Sequence, residues 1–416
     1  MLSVDTSALF THLQEQHVDE AALLWGQRAY ALKQVGSDMA RIAKLERRID
    51  SHLRCIKLHE SHAWPFVERN AQEGDASDLF VMSILALIAK DGEKFETVLS
   101  MLRESLSLLP GVASALGWLP AGTIERLLLP KLRYWKNSGD VLLQHLFLLA
   151  CSVRRITPEI NFSLMKAAPE SVEEADMYAR AARLAGEMKL HEAKKRLAIW
   201  LQSDHLPLQF WSAWSLVLLG DELGLNRLLT LSLTPNEYQF EAINLSARRL
   251  PLAAAQDLVR SLAKNKTQTP QAILAVSALG LVDSMDWLHA RMSDPKFGYL
   301  AGHAFNMITG IDLVREELYF TQDKSEDDEV MPLDGFEQLP CPDPVAIAKH
   351  WNTVSNRFVE KHRYLCGHRI ADMPFNNIVA SGLQGHRRAA AIEWACSTVT
   401  RVLPNINNKV SLDGAF

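Results

Sequence analysis

Three histidines and one cysteine come nearest, by type and spacing, to residues that do chemistry. His52, His59 and His62 lie close together, and the i, i+3 relation of the last two puts both imidazoles on one helix face, as metal ligands are placed. Zinc wants three or four ligands, however, and no nearby cysteine or carboxylate completes a recognised spacing. Trp64-Pro65 is also expected to end the helix at once. The three read as surface or capping histidines. Cys366 has His362 and His368 as sequence neighbours, and an adjacent base lowers a thiol pKa and activates it. Nucleophile and base in thiol enzymes meet through the fold and come with an oxyanion-stabilising turn, so Cys366 reads as a small apolar residue. The chain has no Gly-rich phosphate loop, serine elbow or HExxH helix. No catalytic residue, no metal and no cofactor is therefore expected.

Recognition is the other chemistry on offer. Arg363, Arg369, Arg387 and Arg388, with His362, His368 and His386, make the C-terminal region the most basic part of the chain. Guanidinium forks hold carboxylate and phosphate bidentately. The bland alternative is that Arg387 and Arg388 are the polar face of a helix whose other face is Ala390, Ala391, Trp394 and Ala395. Trp211 and Trp214, at i, i+3, form either a buried seam or an exposed aromatic anchor. The candidate partner-binding residues are Arg363, His368, Arg369, Arg387, Arg388, Trp211 and Trp214.

Positioning these residues falls to helices. Over 1–165 apolar residues recur at three- and four-residue steps, without alternating β-branched runs. Ile42, Leu45, Ile49 and Leu53 share one face of such a helix. Pro65, Pro110, Pro120 and Pro130 punctuate the region. From about Pro169, four segments close on glycine: Gly186, Gly220, Gly280 and Gly310, at spacings of 34, 60 and 30 residues. Glycine suits a left-handed helix C-terminus, and Ser246 to Pro251 fits the middle of the double interval. Eight residues before each turn stand Tyr178, Ser212, Ala242, Ala272 and Gly302, all small except the first. Each turn leads into a second helical segment, such as His191 to Leu201 and Leu252 to Leu262. About five helical hairpins over 166–320 result, each too small to bury its apolar face alone. The acidic run Asp323 to Glu329 and the proline-rich stretch after it read as a linker loop over 321–345. A helical region over 346–416 follows, with a frayed polar tail from Pro404. The fold class is all-α, a HEAT-like superhelix, or solenoid, flanked by helical regions.

Composition narrows the class of function. Of 416 residues, 44 are basic and 49 acidic, a net charge of −5, so no chain-wide field draws in nucleic acid or anionic lipid. Within the stack Arg248, Arg249 and Arg260 are diluted by Glu187, Asp221, Glu222 and Asp257. Five scattered cysteines without a CxxC pair argue against both a disulfide framework and a zinc ribbon. The start of the chain reads as a first helix rather than a signal peptide. The longest apolar stretches, Leu79 to Ala89 and Val141 to Val153, are too short or interrupted to span a bilayer. A cytoplasmic protein with no membrane partner is expected.

Several phrases carry a family likeness in order along the chain: His17-Val18-Asp19-Glu20-Ala21-Ala22-Leu23-Leu24-Trp25, the Leu45 to Leu53 helix, Pro342-Asp343-Pro344 after the acidic break, Arg363-Tyr364-Leu365-Cys366-Gly367, and Gln384-Gly385-His386-Arg387-Arg388-Ala389-Ala390-Ala391-Ile392-Glu393. Together they resemble a proteobacterial family of HEAT-like repeat proteins whose genes are often found beside type VI secretion effector and spike genes. Gly385-His386 depart from the basic or polar residue the family shows before the paired arginines. The family has no established active site. The repeats read as a right-handed stack whose curved inner surface holds a protein partner; the resemblance implies a bacterial cytoplasmic protein whose partner is a secretion effector or spike component, so an immunity factor or an adaptor. The competing class, on fold analogy, is a helical-repeat enzyme or nucleic-acid-binding protein of the DNA-glycosylase-like solenoid type.

Overall fold

A computed structural model describes residues 6–89, 92–120, 128–320 and 333–409. The described chain is almost entirely helical, and no helix is long and apolar enough to cross a membrane. Thr6–Lys33 folds back on Met39–Leu58 through a turn that Asp38 closes by capping Arg41 N. Ile42, Ile49 and Leu53 are fully buried on the expected face of the second helix. Its buried side also takes Glu46 and Asp50, whose carboxylates accept from Arg28 and Trp118.

Pro65 does not end its helix, which runs Glu60–Glu73; the break falls one turn earlier, at His59. A proline at that depth removes a single intrahelical bond, and the flanking Ala63 and Val67 are buried. Pro110 and Pro130 do open helices, Leu109–Trp118 and Leu129–Asn137. Ala76–Ala89 is buried on every side from Leu79 to Leu87. It sits among the 6–33, 60–73, 92–104 and 109–118 helices, with Phe80 between the rings of Trp25 and Trp118. The apolar stretch Val141 to Val153 lies in a second helix of this kind, Val141–Arg154.

Helix pairs follow: Val172–Met188 with Lys194–Trp200, Leu206–Leu218 with Glu222–Leu233, Gln239–Arg249 with Leu252–Lys264, and Thr269–Leu279 with Met285–Met292. The first helix of each pair packs on the first helix of the next, a row that begins with 109–118 and 141–154 and ends with Gly298–Thr309. Gly220, Gly280 and Gly310 take the left-handed backbone expected of them, φ 75°, 75° and 70°. Gly186 does not. It lies inside its helix, and Lys189 supplies the left-handed cap instead. A Cβ on Gly186 would stand 2.7 Å from Ser215 Cα, so glycine there lets two helices cross closely.

The fifth unit has a first helix only. Its second-layer partner comes from beyond the acidic stretch: Pro344–Val354 packs on 285–292 and sets Trp351 against Phe305. The acidic run lies outside the described residues. The flanks of the expected linker are paired rather than extended, with Phe320 N donating to Cys341 O at 2.9 Å and Asp343 N to Leu318 O at 3.0 Å.

Residues 333–339 dock on the first hairpin, Val35 N donating to Gly335 O (2.9 Å) and Gln34 Nε2 to Glu337 (2.6 Å). The same turn meets the C-terminal helix Gln384–Ser397, where the amides of Gln384 and Gly385 donate to Ser37 O and Val35 O, each at 2.8 Å. The row of helices thereby closes on itself. Residues 384–409 cross the row, meeting the 6–33, 141–154, 172–188 and 239–249 helices. The tail expected to fray is held over 404–409 by hydrogen bonds to Val153 O, Arg28 and Asp50; 410–416 lie outside the described residues.

An all-helical reading missed one hairpin. Tyr364–Leu365 pairs with His368–Arg369 through Cys366 and Gly367, both left-handed at φ 52° and 77°, as a two-residue turn of right-twisted strands requires. Its amides satisfy orphan carbonyls at the end of the 298–309 helix, Cys366 N on Met307 O and Gly367 N on Ile308 O, and Tyr364 N donates to Gly280 O just past the 269–279 helix.

Candidate functional site: a basic cavity beside the C-terminal helix

Where residues 384–409 cross the row they leave a cavity of about 650 Å³ between the 6–33, 109–118, 141–154, 172–188 and 206–218 helices. Its chemistry is set by guanidiniums. Arg180, Arg183 and Glu187 fall on one side of the 172–188 helix because they are three, four and seven residues apart. Glu187 is 2% exposed. It accepts from Arg180 and Arg183, each at 2.9 Å, from Arg155 at 3.4 Å and from Ser152. Burial pushes its carboxyl up, but Arg180, Arg183 and Arg155 outweigh that and hold it down to about 2. Burial lowers Arg180 to about 10, so it stays charged at neutral pH.

Arg388 enters from the C-terminal helix and caps the 6–33 helix through Leu32 O and Lys33 O. Arg28 is neutralised by Glu46 at 2.7 Å and also donates to Asn407 O. Lys409 is neutralised by Asp50 at 2.6 Å. Glu241, on the 239–249 helix, has its carboxyl pushed up by burial against the pull of Arg388 and Arg183. Trp25, Trp118 and Trp214 complete the wall, and Arg183 lies over the ring of Trp211, 4.3 Å from its centroid.

The sequence-derived candidates separate in space. Trp214 and Arg388 line this cavity, and Trp211 adjoins it through Arg183. Arg363 is half-buried and spends its guanidinium on the chain itself. It donates to Leu279 O, Ala278 O and Arg248 O, the last carbonyls of two row helices, and to Glu393, which also holds Arg248. Arg387 is likewise buried, its guanidinium on Val379 O and Gln384 Oε1, so it belongs neither to a binding patch nor to a polar helix face. His368 is exposed and lines a second cavity of about 520 Å³ beside Asp312, Arg315, Glu316 and His350. Arg369 is half-buried on the hairpin near Tyr364.

His52 pairs with His17, Nδ1 to Nδ1 at 3.0 Å, while His59 and His62 set their rings edge-on to Phe10. Among the described residues no group of three or more histidines, cysteines and carboxylates is arranged to hold a metal. Burial pushes the Cys366 and Cys151 thiols up to about 12 and Cys396 to about 11. It also lowers the imidazoles of His145 and His386 to about 4 and His303 to about 3.

Sequence reasoning passed over Arg180, Arg183 and Arg155. The signal available was two arginines and a glutamate at helical spacing, Arg180-x-x-Arg183-x-x-x-Glu187, which the glycine period of the same segment overshadowed. Comparison with protein-family models, with curated proteins and with solved structures finds no match to this chain.

Proposed function

We propose that the chain is a HEAT-like α-α superhelix acting in the cytoplasm as a non-catalytic binding protein, whose partner is a protein engaging the inner face. One observation carries this reading: a cavity of about 650 Å³ pools guanidiniums and tryptophans, the side chains most used to anchor partners. The likeness to repeat proteins encoded beside type VI secretion effectors and spikes supports a secretion effector or spike component as partner. The role is then that of an immunity factor or an adaptor. Partner recognition is surface complementarity, with an acidic group meeting the arginines and the tail over 403–409 forming part of the contact surface.

The test is affinity purification of the tagged full chain from secretion-active cells, with mass spectrometry and nucleic-acid quantitation of the eluate. Stoichiometric recovery of one effector or spike protein is expected. Nucleic acid retained at moderate salt without a protein partner would instead establish the nucleic-acid-binding class and overturn this reading.

A further inference from the structure

The inner cavity holds more positive charge than the protein itself neutralises. Setting aside Arg28 with Glu46 and Lys409 with Asp50, its wall carries Arg155, Arg180, Arg183 and Arg388 against Glu187 and Glu241. Four positive charges against two negative leave a surplus of two; Lys33 in the lining adds one, and Asp334, which acts on Arg388 from outside the lining, removes one.

The donors are also under-used. Arg183 reaches Glu187 through Nε alone, and Arg388 reaches backbone carbonyls through one terminal nitrogen alone. Arg180 Nε is buried with no hydrogen-bond partner. Buried guanidinium nitrogens are seldom left unpaired in folded proteins. Arg183 and Arg388 thus line one cavity from two different helices, 172–188 and 384–397, with terminal nitrogens beyond these bonds left for a ligand, beside tryptophan rings able to cover a small organic group.

We propose that this cavity binds a phosphate group, either inorganic phosphate or the phosphate of a small monoester. A phosphate near neutral pH carries close to two negative charges and three acceptor oxygens, which matches the surplus of two and donors converging from separate helices. A single carboxylate would offer one charge and one fork. Glu241 is the opposing element: drawn towards Arg183 and Arg388, it competes with the ligand for them. The inference rests on the reading of the inner face as the binding face, but it needs no protein partner to be tested.

Isothermal titration of the full chain with inorganic phosphate, AMP, glucose 6-phosphate and citrate, at ionic strength matched with sodium chloride, reads the site directly. Saturable binding of a phosphate compound is expected, with Arg183→Gln and Arg388→Gln each weakening it by about tenfold or more. Glu241→Gln is expected to tighten it several-fold, a gain that misfolding cannot produce. Tighter binding of the monoesters identifies an esterified ligand, and equal or tighter binding of inorganic phosphate identifies the free ion; either supports the site. No saturable heat with any phosphate compound, citrate binding more tightly than all of them, or Glu241→Gln leaving affinity unchanged or weaker would each overturn it. If phosphate fails while a protein is still captured through the inner face, this inference alone falls. If neither binds, the reading beneath it falls as well.

Discussion

Glu187 joins three guanidiniums to one buried carboxylate, and that arrangement makes stability depend on pH. Its folded pKa of about 2 lies below the ordinary 4.5, so its contribution is complete above about 4.5 and is lost as pH falls towards 2. The buried rings act earlier. Burial holds His145 and His386 at about 4 and His303 at about 3, against an ordinary 6.5. Below about 6.5 the unfolded chain takes up protons that the folded chain refuses, so stability falls from there towards pH 4. Urea midpoints should therefore be level above pH 7, drop between pH 6.5 and 4, and drop further below 4.5; equal midpoints at pH 7.5 and 5 would contradict the burial of these rings. Glu187→Gln, which leaves three arginines facing a neutral amide, is expected to cost about 3–5 kcal/mol in chemical denaturation. At this scale the sequence was only partly legible. Arg363 and Arg387 are visibly basic residues near the end of the chain, but a sequence does not say which helix carbonyls will face them. Their burial follows from the orphan acceptors that the fold brings to them.

Helix ends explain most of what these cations do. Arg363 closes the ends of the 239–249 and 269–279 helices, Lys189 donates to Leu218 O and Ala395 O, and Arg154 donates to Leu116 O and Leu119 O. Each is a charge-assisted cap supplied by a neighbouring element, favoured by the negative end of the helix dipole. Arg363→Met strips these carbonyls and leaves Glu393 to Arg248 alone, so a loss of about 2–4 kcal/mol is expected in thermal or urea unfolding. Gly310 is constrained twice, by φ 70° and by Cys366 O, which a Cβ would meet at 2.6 Å. Gly310→Ala should therefore destabilise by about 1–3 kcal/mol. Gly186→Ala should do so through the Ser215 crossing rather than through backbone strain. Three of the four repeat glycines were legible because a left-handed C-terminus demands that residue. Gly186 was not, because close helix crossing selects glycine with no local pattern to announce it. The 364–369 hairpin was hidden for a related reason: its two-residue strands are too short to show alternation.

At the scale of the whole molecule the helical character was readable from three- and four-residue apolar spacing, but the closure of the chain was not. Val35, Gln384 and Gly385 are 349 or more residues apart at the extremes of the bridge, and no local signal ties the first turn to the C-terminal helix. If the closure holds in solution, the amides of Val35, Gln384 and Gly385 should exchange as slowly as those in the middle of the 172–188 helix; fast exchange there with slow exchange in the row would mean that the ring opens. The closure also bears on the proposed function, since it lays residues 384–409 across the row beside the cavity proposed to hold the partner. The measurement that tests this most directly is parallel capture, from the same secretion-active cells, of the wild-type chain and an Arg183→Gln, Arg388→Gln double variant whose urea midpoint confirms that it is folded. The account expects one protein partner at near-stoichiometric yield with the wild type and about tenfold less with the variant. Equal recovery by both would place recognition elsewhere and contradict it.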